Sequence, residues 1–212
     1  MKFVCSECGD CCRDFGHGPG LNLFYWEAKM FEEYYPFPVL YDKKNKQTIA
    51  LFWNSRINNC PLLNKNKCIK YEDRPLVCKA FPLLNSGLIS GKDFSFSLGC
   101  SQEKLLEKIA KKINSEKDEN KRIEIMKEAF DDTFLALLQL ELTRNFIYRE
   151  LEKMEDKGLI KIDDSLNKIS ENIVDVFDLM LKTGHISKDK LKEIIDNIQN
   201  LKDARNYLNK KT

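Results

Sequence analysis

The sequence predicts a mainly α-helical protein with two parts. A small, loop-rich α+β module that is rich in cysteine is expected over residues 1–103, and a helical domain with a bundle of about four helices is expected over residues 104–212. The first reason is composition, because all eight Cys, all six Pro and sixteen of the twenty-two aromatic residues lie at or before Cys100. The second reason is that apolar residues after Cys100 recur at helical spacing. The two parts are therefore expected to be stabilised by different interactions.

Short elements separated by loops are expected in the first part. Residues 22–35 are predicted to form a helix. Residues 39–42 and 48–53 flank a polar stretch, as the two strands of a hairpin do. Residues 94–97 alternate between Phe and Ser, which is typical of one more strand.

Four helices are predicted in the second part, each from a stripe of apolar residues at helical spacing. They are expected at about residues 101–113, 121–157, 165–182 and 187–208. Ser101 is a candidate N-cap, and Gly158 and Gly184 are expected to end the second and third helices. Because such stripes usually form a core, this part is interpreted as a folding and docking platform without chemistry of its own. A groove for a substrate or a partner is the alternative.

The overall composition excludes several classes of protein. The chain has 212 residues, of which 42% are hydrophobic and 32% charged, as is typical of a folded protein rather than a disordered one. Its formal net charge is +2, so electrostatics alone would not recruit a nucleic acid or an anionic membrane. No stretch has the length and apolarity of a signal peptide or a spanning helix, and a cytoplasmic location is expected. A protein or a small molecule remains open as the substrate.

Four cysteines near the start of the chain form the most specific pattern in the sequence. Cys5, Cys8, Cys11 and Cys12 are arranged as C-x2-C-x2-C-C, and gaps of two residues allow successive thiolates to converge on one ion or cluster. Three local cysteines with one distant thiolate are typical of iron–sulfur clusters, whereas structural zinc more often uses two separate C-x2-C pairs. An iron–sulfur cluster is therefore favoured over zinc.

The other four cysteines are spread along the chain. Cys60, Cys68, Cys78 and Cys100 are separated by seven, nine and twenty-one residues, so only folding can bring them together. In a reducing cytosol, cysteines are more often metal ligands or redox groups than structural disulfides, and all eight are candidate metal ligands. Buried reduced cysteines and disulfides are the alternatives.

The adjacent pair Cys11 and Cys12 indicates more than one centre. Neighbouring residues in an extended segment point to opposite sides, which makes it awkward for both thiolates to bind the same ion. We therefore predict two metal centres, or one cluster with free reactive thiols, in which Cys12 joins members of the second group of cysteines.

These motifs resemble a known family, the zinc- or iron-chelating proteins named for their CxxCxxCC motif. Residues Cys5–Arg13 are similar to the opening motif of that family. Its second motif is similar to Cys60–Leu63, Cys68, Tyr71–Cys78 and Phe81–Pro82.

The resemblance covers about residues 5–100 and implies metal binding. Lys70 departs from the family pattern, which usually has an apolar residue before the tyrosine. One relative in this family, the flagellin lysine N-methylase, is thought to combine such cysteines with an iron–sulfur cluster and S-adenosylmethionine. The resemblance thus implies an S-adenosylmethionine-dependent protein lysine N-methyltransferase as an alternative function. Residues 16–20 contain a proline and follow no predicted strand, so a conventional glycine-rich nucleotide loop is not expected there.

Polar residues close to the motifs are candidates for a supporting role. Arg13, Asp14 and His17 follow the first motif closely enough to stabilise the negative charge of its thiolates. Arg74 is expected to form an ion pair that fixes the loop before Cys78, or to bind a carboxylate of a substrate.

Aromatic residues in the first part allow two interpretations. Trp26, Trp53, Tyr34 and Tyr35 are expected either to line a pocket or to form the apolar cover of the cysteine-rich module.

Three functions are open on these grounds. In the first, the metal is the active centre of a modifying or redox enzyme. In the second, zinc only stabilises a binding or assembly module without catalysis. In the third, the protein stores or delivers metal, which requires labile, exposed thiolates.

Overall fold

The computed structural model describes residues 1–13, 21–55, 60–163 and 170–211. The helices within these ranges are of very different length, and the five longest all follow residue 102. They are α1 (Asp10–Arg13), α2 (Tyr25–Ala28), α3 (Leu76–Ala80), α4 (Glu103–Ser115), α5 (Glu119–Phe130), α6 (Asp132–Asp156), α7 (Val176–Lys182), α8 (Lys188–Gln199) and α9 (Lys202–Lys211).

The strands are short, between two and four residues each. They are β1 (Leu21–Leu23), β2 (Tyr34–Pro36), β3 (Val39–Asp42), β4 (Gln47–Ala50), β5 (Trp53–Ser55), β6 (Leu63–Asn64), β7 (Lys67–Cys68), β8 (Leu83–Asn85), β9 (Ser95–Phe96), β10 (Ile162–Asp163) and β11 (Ile173–Asp175). In the described parts of the chain they form a three-stranded sheet (β1-β5-β2), a four-stranded sheet (β10-β3-β4-β11) and two two-stranded ladders, β6-β7 and β8-β9.

The prediction of a mainly α protein with a bundle of about four helices is wrong, and the fold is mixed α/β. Helices account for 47% and strands for 16% of the described residues. The main reason lies in the part predicted to be only helical, because β10 and β11 belong to it and pair with β3 and β4. The β-branched residues Ile173 and Val174 were assigned to a helix on apolar spacing, but they pair in parallel with Thr48 and Ile49.

Two predicted helices are each interrupted by one residue in an unfavourable backbone conformation. Asp131, with φ of 47°, separates α5 from α6, and Leu201, with φ of 54°, separates α8 from α9. The helix predicted at 165–182 begins only at Val176, where Asp175 accepts a hydrogen bond from Phe177 N–H at 2.9 Å. The beginning of that predicted helix, residues 165–169, lies outside the described residues.

The helix predicted at residues 22–35 is also wrong. That stretch contains β1, the four-residue helix α2 and the start of β2. The predicted hairpin is present as β3 and β4, with Val39 opposite Ala50, whereas β5 belongs to the other sheet. The strand predicted at 94–97 is β9, which pairs with β8.

The chain divides into two compact units. The first, here called the cysteine unit, comprises Met1–Pro19, Ile57–Leu142 and Leu201–Thr212, and contains all eight cysteines. The second unit comprises Gly20–Arg56 and Thr143–Asn200. The units interleave along the chain, and the division into a cysteine-rich module at residues 1–103 and a helical domain at residues 104–212 stays a prediction.

The core of the cysteine unit is helical. It contains Leu106 and Ile113 of α4, Met126 of α5 and Phe134 of α6, all with their side chains fully buried. Helix α9 is held to α6 by Gln139, which donates to Asp203 at 3.0 Å and accepts from Ala204 N–H at 3.1 Å. These contacts fix α9 against α6.

Two loops are attached to this core. Phe3 N–H donates to Ala129 O at 2.7 Å, and the ring of Phe3 lies 6.0 Å from that of Phe130. Asn114 of α4 bonds both the N–H and the carbonyl of Phe94, at 2.9 and 3.1 Å. The start of the chain is therefore anchored to α5, and the segment leading to Cys100 is anchored to α4.

The second unit has an aromatic core. Phe24 stacks on Trp26 with 4.8 Å between ring centroids, and Trp26 lies 5.5 Å from Phe177. Trp53 Nε1 donates to Asp175 Oδ2 at 2.9 Å. Among the described residues, no helix combines the length and apolarity needed to cross a membrane.

Candidate metal centre

The CxxCxxCC motif folds as a loop followed by one helical turn. Cys5 and Cys8 lie in the loop, and Cys11 and Cys12 lie in α1. The turn closes on Gly9, whose carbonyl accepts from Cys12 N–H at 3.0 Å and from Arg13 N–H at 3.2 Å. Gly9 joins the loop to the helical turn in a left-handed backbone conformation, with φ of 76°, which glycine adopts more readily than other residues.

The helical turn brings the adjacent cysteines together. The prediction that the side chains of Cys11 and Cys12 point to opposite sides of an extended segment is wrong, because both residues lie in a helical turn. In a helix, successive side chains are separated by about 100°. The two Sγ atoms are 3.9 Å apart.

A tight hairpin brings two distant cysteines to the same place. Strands β6 and β7 pair Leu63 with Cys68, and Leu63 N–H donates to Cys60 O at 3.0 Å. Their connection uses Lys65 and Asn66, both with positive φ, as a two-residue type I′ turn requires. Cys60 and Cys68 thus lie at the open end of one hairpin.

The helical turn and the hairpin are in direct contact. Cys60 N–H donates to Cys12 O at 2.7 Å. Gly9 lies against the hairpin turn, since a Cβ at this position would be 3.0 Å from Asn66 O. Arg13 donates to Cys8 O at 3.4 Å, pairs with Asp10 at 3.0 Å and bonds the side chain of Asn66. The side chain of Arg13 therefore fixes the motif on the hairpin.

The beginning of the motif contacts the segment around Cys100. Cys8 Sγ lies 3.5 Å from Ser101 Oγ, and Gln102 Nε2 donates to Val4 O at 2.6 Å. No sequence pattern predicts Gln102 in this position, and Ser101 is predicted only as a helix cap. The cap position of α4 is instead Gln102.

Cys78 lies on the short helix α3. Its N–H donates to Pro75 O at 2.9 Å in the first turn. Arg74, just before this helix, has its guanidinium 3.9 Å from the centroid of the Tyr71 ring, and its buried Nε has no hydrogen-bond partner in the described structure. A cation–π contact thus holds Arg74.

The thiols affect one another's ionisation. A hydrogen bond with Cys11 raises the pKa of the Cys12 thiol to about 12, with burial acting in the same direction and a hydrogen bond with Cys60 acting against it. The hydrogen bond with Cys12 and burial raise the pKa of Cys60. Burial, and then the nearby thiols of Cys8 and Cys5, raise the pKa of Cys100. These thiols must lose their protons to bind a metal, so binding would release protons.

The donor chemistry fits zinc or iron, but the thiols are not drawn together around one point. Within residues 1–13, 21–55, 60–163 and 170–211, no group of three or more His, Cys, Asp or Glu side chains is placed to hold a metal ion. All eight cysteines are free thiols. Soft thiolates are the preferred ligands of zinc and iron–sulfur clusters, so the chemistry of the cysteine side chains suits these metals.

Other candidate residues lie elsewhere. Asp14 and His17 are outside the described residues. Trp26, Trp53 and Tyr34 belong to the second unit, where they make aromatic contacts. The interpretation of these aromatic residues as a pocket lining or as the apolar cover of the cysteines stays a prediction.

Comparison with known families agrees with the cysteine pattern. Residues 4–97 match the model of a family described as "CxxCxxCC: Putative zinc- or iron-chelating domain". The resemblance drawn from the sequence motifs is thereby confirmed for this segment. No curated protein and no solved structure matches the chain.

Proposed function

Starting from the match of residues 4–97 to the CxxCxxCC zinc- or iron-chelating family, we propose that the chain is a metal-binding protein that holds iron or zinc through its cysteine thiolates. One observation carries the proposal: separate stretches of the sequence deliver their cysteines to the CxxCxxCC loop. Cys60 contacts Cys12 through a backbone hydrogen bond of 2.7 Å, and Ser101, next to Cys100, contacts Cys8 at 3.5 Å.

The state of the cysteines supports metal binding rather than cross-linking. All eight are free thiols, even though Cys11 and Cys12 have their sulfur atoms 3.9 Å apart. A chain of this size buries its own core, as α4, α5 and α6 do here, and has no need of disulfides for stability.

Between the two metals, we favour an iron–sulfur cluster. Three cysteines of one short loop and a thiolate from elsewhere are the usual ligands of such clusters. A bound cluster would supply electron transfer or activation of a substrate at an exposed edge. Cys5, the first cysteine of the motif, is exposed to solvent.

Structural zinc is the second candidate, and the hairpin favours it. Cys60 and Cys68 are held by a tight turn against α1, and Cys60 is only 8% exposed. A buried thiolate zinc site can contribute on the order of 10 kcal/mol to folding. Here the metal would only stabilise the cysteine unit, and the protein would act as a binding or assembly module.

The test is a spectrum combined with a metal count. The full chain is purified without oxygen, its ultraviolet–visible absorption is recorded, and iron, acid-labile sulfide and zinc are counted per chain. A brown protein with iron matched by sulfide supports the cluster, and a colourless protein with stoichiometric zinc supports the structural site. Metal below stoichiometric amounts, also after reconstitution with either metal, overturns metal binding. The variant Lys108→Ala, on the exposed face of α4, is the matched control and should retain the same metal content.

The methyltransferase alternative stays a hypothesis drawn from the resemblance alone. Neither the described contacts nor the family match bears on S-adenosylmethionine. Isothermal titration of the metal-loaded full chain with S-adenosylmethionine tests it, and the absence of binding at millimolar ligand would remove it.

A further inference from the structure

One arginine of the cysteine unit has buried donors that no described residue accepts. Arg122 lies in the first turn of α5, and its Nε and Nη2 nitrogens are buried. Neither nitrogen has a hydrogen-bond partner in the described part of the chain. Buried polar groups in folded proteins are nearly always hydrogen-bonded, and a charged donor without a partner is costly. Two such donors on one side chain indicate that it binds an acceptor.

The two donors have the geometry of a bidentate site. Nε and Nη2 lie on the same edge of the planar guanidinium, and their N–H bonds on that edge are nearly parallel. This edge matches two oxygens of one carboxylate or phosphate group, which accept one hydrogen bond each. The orphaned edge of Arg122 therefore fits an oxyanion.

The loop between β8 and β9 lies against this edge. A Cβ on Gly87 would be 2.7 Å from Arg122 Nη2 and would overlap the carbonyl oxygen of Lys92. Gly87 also has φ of 75°, in the region that side chains disfavour. A glycine at this position thus allows the guanidinium to lie close to the backbone of the loop.

The loop keeps its conformation through its own hydrogen bonds. Asn85 Oδ1 accepts from Gly87 N–H at 2.6 Å and from Ser90 Oγ at 3.1 Å. Ser90 Oγ in turn accepts from Lys92 N–H at 3.3 Å. None of these bonds involves the guanidinium of Arg122. Its two donors are therefore not needed to hold the loop.

A nearby carboxylate favours a ligand with a single negative charge. Glu141 of α6 accepts from Ser86 N–H at 2.8 Å and from the Ser86 hydroxyl, so a buried carboxylate lies beside the residue before Gly87. A doubly charged phosphate would be repelled by this group more strongly than a carboxylate would. Lys92, on the same loop, is exposed and adds positive charge on the solvent side.

We propose that Arg122 and the loop at residues 85–92 form a binding site for a small carboxylate. The carboxylate accepts from Nε and Nη2 as a bidentate pair. Arg122 as a whole is half-buried, and the loop is exposed at residues 90–92, so the site lies close to the surface. It uses no cysteine and does not rest on the proposed function.

The test follows the Nε–H signal of Arg122 by nuclear magnetic resonance in the isotope-labelled full chain. Sodium formate is the probe, and sodium chloride keeps the ionic strength constant. Arg122→Lys keeps the charge but loses the planar edge, and it identifies the signal by its absence. Arg205→Lys, at an exposed position of α9, is the matched control. We expect the Arg122 signal to shift saturably with formate in the wild type and in Arg205→Lys.

Thermal unfolding gives a second measurement. Formate should raise the midpoint, relative to chloride at the same ionic strength, in the wild type and in Arg205→Lys but not in Arg122→Lys, because a ligand of the folded state stabilises that state. Circular dichroism establishes that each variant folds. If Arg122→Lys does not fold, the signal is identified in the wild type by its nuclear Overhauser contact with Gly87.

Three results would overturn the proposal. The first is an Arg122 signal that does not move across the millimolar range of formate. The second is the same rise of the midpoint in Arg122→Lys as in the wild type. The third is a shift with inorganic phosphate and none with formate, which would assign the site to another oxyanion.

Discussion

Replacing Gly9 by alanine should destabilise the cysteine unit more than the same change at a second glycine. Gly9 has φ of 76°, and a Cβ there would lie 3.0 Å from Asn66 O and 3.1 Å from Leu63 Cδ1. Gly91 has φ of 67° but nothing within 4 Å of the same position. Both variants incur the cost of a left-handed alanine, about 1–2 kcal/mol. Only Gly9→Ala adds overpacking against the hairpin, about 1–3 kcal/mol more.

The comparison is made by urea unfolding of the two variants and the wild type in the same buffer, with metal removed from all three. The free energy of unfolding should be lower for Gly9→Ala than for Gly91→Ala by the overpacking cost alone. With metal restored, Gly9→Ala should also retain less of it, because the CxxCxxCC loop can no longer lie flat on the hairpin. Equal losses of stability in the two variants would refute the contact between loop and hairpin.

Two further predictions concern buried carboxylates. Burial raises the pKa of Asp175 from 3.8 to about 6, so the folded protein holds this proton more tightly than the unfolded chain does. The free energy of unfolding should therefore fall by about 3 kcal/mol as the pH rises from 3.8 to above about 6. Denaturation curves measured across this pH range test the prediction, and Asp175→Asn should remove this pH dependence. The same pH dependence in Asp175→Asn and the wild type would contradict the prediction. Glu141 accepts from Ser86 N–H at 2.8 Å and from the Ser86 hydroxyl, and both residues are buried. Glu141→Ala should lower the free energy of unfolding by about 2–3 kcal/mol, because it leaves the buried donors of Ser86 unsatisfied. The exposed control Glu124→Ala should change the free energy of unfolding by less than about 0.5 kcal/mol in the same denaturation experiment. Similar losses in both variants would show that the Ser86 contact contributes little.

The sequence predicts the type of ligand in the candidate site, cysteine thiolate, better than it predicts which cysteines lie next to one another. The spacing of Cys5, Cys8 and Cys11 and the resemblance to the CxxCxxCC family pointed to the segment that the family model matches. No spacing rule places Ser101 next to Cys8, because that contact depends on how the start of the chain docks on α4 and α5. The same holds for Cys60, whose contact partner Cys12 lies far away in the sequence.

The fold class was wrong because helical and strand patterns overlap in short apolar segments. Ile173 and Val174 satisfy helical spacing with the residues after them, yet they pair with β4, more than a hundred positions earlier in the chain. Pairing over such a distance leaves no periodic signal in either segment. The helix interruptions at Asp131 and Leu201 could not be predicted either. Both residues have positive φ, but neither is a glycine or a proline, the residue types that usually mark a break in a helix.

The central claim is that cysteine sulfur binds the metal, and X-ray absorption spectroscopy tests it most directly. The anaerobically purified full chain is measured at the iron and zinc edges, and the atoms around the metal are identified by their distances. We expect sulfur neighbours around the metal, at about 2.3 Å if the metal is zinc. A metal surrounded only by nitrogen or oxygen, at about 2.0–2.1 Å for zinc, would contradict it.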